Sequence, residues 1–355
     1  MTKTKRKKWM IHYMWKMSLI VLLGIPLIVA ACSSPKTTEP PKTLPEPQPW
    51  VWQQVADFGG PSSRGAMAFA FDSAAYVVSG AGTDSLPHRQ VWKYDFGTNV
   101  WSRKNDYPGT PVIEGVGFSI NQKGYICVGS PNTTAPLVAD LWEYDPASDQ
   151  WTQKANYPGS PRSGSTVLVI GQKAYVLAGS AGASGSPIDV WEYDPQGDRW
   201  TRKADFPGGG RFLPAGFVVG DKGYVGTGTI AGTGFTVTND LWEYNPQTDR
   251  WTRKADFPGA ARSYAIGLTL GNKGYLIFGL LDINSTGTSL TLSRDLWEYD
   301  VAGDSWTQKT DFSGQARVMT VGFVLGSYLY VGPGNNASVQ NLIDVWRIRV
   351  PTTTR

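Results

Sequence analysis

The chain has 355 residues, 41% of them apolar and 17% charged, a composition that excludes a disordered polypeptide and supplies a large core. Its formal charge of +4 misleads, because Lys3, Lys5, Arg6, Lys7, Lys8 and Lys16 precede residue 32 with no acid among them, while the remainder carries 27 basic against 29 acidic side chains. A near-neutral body without a basic cluster excludes the electrostatic footprint of a nucleic-acid-binding protein.

The basic start leads into an apolar run of 13 residues, 19–31, that ends in V-A-A-C. This is the anatomy of an export signal. Small residues directly before a cysteine resemble the bacterial lipobox, which implies that the leader, residues 1–31, is removed and that Cys32 carries lipid. An exported protein anchored in the cell envelope is then expected, and Ser33 after the cysteine implies the outer membrane. The other reading, an uncleaved membrane anchor over residues 9–31, is interrupted by Lys16. Residues 32–49 hold six prolines among Ser, Thr, Lys and Glu and read as an extended stalk of roughly 50 Å, at ~3.1 Å per residue. Cysteine occurs only at Cys32 and Cys127, so no disulfide framework is expected. Within Y-I-C-V, Cys127 reads as a buried small hydrophobe.

From residue 50 onward one unit recurs. Its clearest copy, at 140–159, is D-L-W-E-Y-D-P-A-S-D-Q-W-T-Q-K-A-N-Y-P-G; close copies begin at Asp189, Asp240 and Asp295, and a looser one at Val91. The tryptophans fall into two registers, Trp92, Trp142, Trp191, Trp242, Trp297 and Trp346, and Trp52, Trp101, Trp151, Trp200, Trp251 and Trp306. Five pairs stand nine residues apart, while Trp52 and Trp346 lack sequence partners, so each end of the chain holds part of a sixth unit. The units offer two apolar runs around a short polar turn such as G-Q-K, a variable segment rich in Gly, Ser and Thr, and two tryptophan strands joined by a turn such as D-P-A-S-D, which is four strands at a period near 50. Proline pre-sets φ in that last turn and aspartate bonds its own backbone.

These four-stranded units, with Tyr76, Tyr125, Tyr175, Tyr224, Tyr275 and Tyr330 in the second strand, resemble the kelch repeat, although single glycines such as Gly129 and Gly179 stand where the kelch signature has a Gly-Gly pair. The expected fold is all-β, a six-bladed kelch-type β-propeller over residues 50–350 with a short tail, 351–355. The strand from Trp52 is expected to complete blade six and so cover an edge that would otherwise invite aggregation.

The repeat tryptophans read as core rather than as platforms for sugars. The glutamates of W-E-Y, such as Glu192 and Glu243, read as solvated cross-strand neighbours of lysines. Length varies mainly between the second strand and the next tryptophan, most in residues 280–294, so a carbohydrate or protein ligand is expected on the rim where those loops emerge. Arg162, Arg211, Arg262 and Arg317 each follow a second-register tryptophan by 11 residues, in position either to bond neighbouring blades or to form a cationic mouth for an acidic ligand. Blade two has Val112 there, with Glu114 two places on, and Arg64 is shifted by one residue, which turns it to the other face of its strand.

No metal or other cofactor is expected. Galactose oxidase has kelch repeats, but its copper site requires two histidines and a tyrosine crosslinked to cysteine, whereas His88 is the only histidine after the leader. The leading expectation is a non-catalytic binding or interaction module of the envelope, for an acidic glycan or a protein. The alternative implied by the resemblance is a sugar mutarotase like N-acetylneuraminate epimerase, for which Glu114 beside the arginines would move a proton.

Overall fold

The computed structural model describes residues 49–351, apart from 62, 72, 132–134, 233–235 and 284–289. The expected leader, the lipidated Cys32, the stalk up to residue 48, the tail from 352 and the tip of the longest variable loop lie outside the described residues. The remainder forms six four-stranded antiparallel sheets in the order of a propeller. Blade one comprises Met67–Phe71, Ala74–Val78, Val91–Asp95 and Val100–Lys104, and the next four begin with Val116–Ile120, Thr166–Ile170, Ala215–Val219 and Ile266–Leu270.

Burial changes radially for a simple reason. Second strands such as Ala74–Val78 are sandwiched between the sheets on either side and are buried at every position, hence their unbroken apolar runs. Outermost strands such as Val100–Lys104 are largely exposed. First strands alternate, as in Val116–Ile120, and their less buried residues line the central channel. They press close together: a Cβ on Gly117 would fall 2.5 Å from the carbonyl oxygen of Ala68 in the neighbouring blade.

Blade six joins the two ends of the chain. Gly322–Leu325, Tyr328–Val331 and Trp346–Arg349 are completed by Trp52–Gln54, with Trp52 opposite Ile348 and Gln54 opposite Trp346. Here W-R-I replaces W-E-Y, and the arginine fastens the N-terminal strand: Arg347 donates to Gln53 Oε1 at 3.0 Å and stacks on Tyr328.

Neighbouring blades are clamped by the last residue of the turn between third and fourth strands, the second acid where that turn reads D-P-x-x-D. Asp249 accepts from the Tyr244 hydroxyl at 2.7 Å and from the backbone N–H of Ala204 in the preceding blade at 2.9 Å; Asp149, Asp198 and Asp304 repeat the arrangement, and Asn99 does so in blade one. All five stand at positive φ, which Asn and Asp tolerate best among residues with a side chain. Trp101, Trp151, Trp200, Trp251 and Trp306 donate their indole N–H to a carbonyl in the exit loop of the preceding blade. The glutamates differ from expectation. Glu192 and Glu243 are buried, and Glu243 accepts from the Tyr224 hydroxyl at 2.8 Å, because the long second-strand tyrosine reaches across to the third strand and covers the carboxylate.

Short hairpins rise over blades four to six on the variable-loop rim: Thr229–Ile230 with Thr236–Val237, Leu280–Ile283 with Leu290–Leu292, and Gly334–Asn335 with Asn341–Leu342. That rim is therefore asymmetric.

Candidate functional site

Thirteen residues after each second-register tryptophan stand Gly65, Glu114, Gly164, Leu213, Tyr264 and Met319, and all six have φ between 52° and 65°. They form the waist of the channel. The N–H of Gly65 donates to the carbonyl of Met319, Glu114 to Gly65, Gly164 to Glu114, Leu213 to Gly164 and Tyr264 to Leu213, at 2.7–3.2 Å. Left-handed backbone costs a non-glycine residue about 1–3 kcal/mol. The hydrogen bonds running from blade to blade offset that cost, and each of these residues reaches the waist on one line of six.

Only two waist residues carry polar side chains, and they meet. The Tyr264 hydroxyl from blade five donates to Glu114 Oε1 from the opposite blade two at 2.7 Å, closing the channel beside a cavity of about 150 Å³. Burial raises the Glu114 carboxyl above its ordinary value, against the lowering effect of the Tyr264 hydrogen bond and the charge of Arg64. Tyr264 is itself pushed well above 10 by burial and by the neighbouring carboxylate. Below the waist the channel widens to about 590 Å³, and its described lining contains no ionisable group.

Arg64 lies one residue above the waist, bridged to Ala81 on the variable-loop side. Its charge lowers both the Glu114 carboxyl and the Tyr264 hydroxyl, which meet at the waist. Among the described residues no carboxylate lies within ion-pair distance of it, and its Nε has no hydrogen-bond partner. The position comes from the one-residue shift visible in the sequence. Ser63 occupies the place of the in-register arginines, its hydroxyl bonded to the Ser79 carbonyl at 2.8 Å, and Arg64 falls on the other side.

The four in-register arginines do not form a cationic mouth. Arg162, Arg211, Arg262 and Arg317 are at most 1% exposed and pair with Asp189, Asp240, Asp295 and Asp344 at 2.5–2.8 Å. Each guanidinium also lies on the face of Tyr157, Phe206, Phe257 or Phe312 from the linker just before it. The paired acid stands two residues before a first-register tryptophan, and Asp189, Asp240, Asp295 and Asp344 all accept that indole N–H. Of the five ligand-binding residues expected from the sequence, the structure therefore brings only Glu114 to the channel and assigns the arginines to the interior of the blades. Burial alone would raise the Asp240 carboxyl, but Arg211 holds it below the ordinary carboxylate range.

Sequence reasoning misses Tyr264 and the arginine-paired aspartates. A signal for the second existed: blades three to six carry both Arg and Asp, whereas blade one has Ser63 with Gln90. Cys127 is buried, and burial pushes its thiol well up, away from reactivity. Among the described residues no group of three or more His, Cys, Asp or Glu is arranged to hold a metal ion.

A family model described as Kelch motif matches residues 161–207, the span of one blade. No curated protein matches the sequence. The solved structure of YjhT is similar in fold, with a TM-score of 0.70 at 16% identity over 83% of this chain and 97% of that one. The protein is a six-bladed kelch-type β-propeller, its sixth blade closed by the N-terminal strand. With 767 solved chains matching, fold alone selects no ligand.

Proposed function

We propose that this propeller is a non-catalytic binding module of the cell envelope, held there through lipid on Cys32, that takes an acidic glycan at the channel mouth on the variable-loop rim. The observation that carries the reading is Arg64, which stands one residue above the channel waist with its Nε unpartnered and no carboxylate within ion-pair distance among the described residues. A planar fork of donors in that position suits a carboxylate or sulfate, and the hairpins over blades four to six would wall one side of a ligand held there.

A glycan array tests this. Sialylated and uronate-containing glycans should bind the wild type and fail to bind Arg64→Ala. A blank array, or binding that survives the substitution, rejects the acidic glycan and turns attention to a protein held by the long hairpin Leu280–Ile283 and Leu290–Leu292. The anchor has its own test: labelled palmitate enters the wild type and not Cys32→Ser, and incorporation into both rejects it.

A second reading, a sugar mutarotase, is favoured by one observation. The raised carboxyl of Glu114, hydrogen-bonded to Tyr264 at the bottom of the mouth, is suited to exchange a proton. Anomer exchange of N-acetylneuraminate followed by NMR decides it: acceleration by the wild type and not by Glu114→Gln establishes catalysis, and no acceleration leaves the binding module.

A further inference from the structure

The seam between blades five and six differs from the other five. At each of those, the turn between third and fourth strands supplies an Asp or Asn that ties a tyrosine of its own blade to the backbone of the neighbour. Blade six has no such turn, because its third strand ends at Arg349 and its fourth begins at Trp52 from the other end of the chain; Ile348 stands where the tyrosine would be. Between blades five and six, on the short-turn rim, lies a groove of about 910 Å³ whose lining includes Trp50, Asn272, Lys273, Glu298, Lys309 and Pro351.

Trp50 is the one described tryptophan outside the two registers. It is half-buried, its ring 6.4 Å from that of Tyr275, with Lys309 Nζ 5.2 Å from its centroid. Its φ of 60° is a conformation that bulky side chains rarely adopt. Among the described residues none accepts a hydrogen bond from its indole N–H, unlike the first-register indoles of Trp191, Trp242 and Trp297, which donate to aspartates. The charges along the groove balance, Lys309 with Glu298 at 3.1 Å and Lys273 with Asp300 at 2.8 Å.

We propose that this seam groove binds a pyranose unit of a neutral polysaccharide, packed against Trp50. An indole offers an apolar face to the C–H groups of a sugar ring and an N–H to a hydroxyl. Asn272, Glu298 and the lysines supply donors and acceptors for the remaining hydroxyls, and balanced charge leaves no preference for an ion. The groove is separate from the channel mouth, which faces the opposite rim.

Saturation-transfer NMR on the full-length protein with maltohexaose, cellohexaose and chitohexaose tests the assignment. At least one hexasaccharide should receive saturation on its ring protons. Its affinity should weaken about tenfold or more in Trp50→Ala, a loss of at least one anchoring contact, and be retained in Trp50→Phe and in Arg64→Ala. Should Trp50→Ala fold poorly, Asn272→Ala on the exposed turn serves instead and should bind several-fold more weakly, on the order of a single lost hydrogen bond. Absence of transfer to all three sugars, or undiminished binding by both variants, overturns the proposal.

Discussion

The side chains of greatest consequence here are charged and out of contact with bulk water. Removing one member of a buried ion pair leaves the other uncompensated, at a cost of about 3–5 kcal/mol. Asp240→Asn should therefore lower the thermal midpoint sharply at neutral pH. Because Arg211 holds the folded Asp240 below its unfolded value of about 3.9, its contribution is whole above that pH and is lost as pH falls through the folded value. The gap between wild type and variant should then narrow on acidification below about pH 4, and a gap that stays constant would contradict the pairing. Glu114 has the opposite sign. Its folded value is raised, so the native state holds the proton more tightly and stability declines as pH rises from about 4.3. Glu114→Gln should melt above the wild type at pH 7 and match it in acid; a lower midpoint at pH 7 would contradict a buried, strained carboxyl. Arginine at a fixed distance after tryptophan was plain in the sequence, but its partner was not, since Arg211 and Asp240 are 29 residues apart and meet only after the blade folds.

Among elements, the D-P-x-x-D turn carries more than its geometry. The sequence identified it as a tight connection, which it is, and placed it on a rim with structural duty. The tie from Asp249 to Tyr244 and to the Ala204 N–H was not legible, because the acceptor belongs to the next blade and its donors lie 5 and 45 residues away. Asp249→Ala should lose two hydrogen bonds to a charged acceptor, about 3 kcal/mol or more at roughly 1.5–3 kcal/mol each, read as a lower denaturation midpoint with ligand affinity unchanged. Full stability in that variant would show that the turn does not clamp the blades. The strands themselves were legible to within two residues, as in Thr166–Ile170 and Lys173–Leu177, because short apolar runs bounded by polar turns such as G-Q-K are local signals. The left-handed waist was not, since nothing in Glu114, Leu213, Tyr264 or Met319 as residue types signals positive φ.

For the whole molecule, closure of the ring is the property that the tryptophan count foretold, and blade six joins the termini accordingly. Deleting residues 51–58 should lower the thermal midpoint far more than deleting residues 34–49, and equal losses would show that the ring does not depend on its N-terminal strand. The functional asymmetry of the ring was half legible. The repeated arginines left two readings open, structural bonding or a cationic mouth, and the structure holds them in the blade interiors, leaving the channel to positions that break the pattern, Glu114 and Tyr264 with Arg64 beside them. Calorimetric titration of an acidic glycan into wild type, Arg64→Ala and Arg211→Ala separates these two kinds of arginine. Loss of a charged contact at the mouth, about 2 kcal/mol or more, should weaken binding at least about 30-fold in Arg64→Ala while the variant stays folded. Arg211→Ala should melt lower yet bind with wild-type affinity while folded. Unchanged affinity in Arg64→Ala, or loss of binding by folded Arg211→Ala, would overturn this division of labour between channel and blade interior.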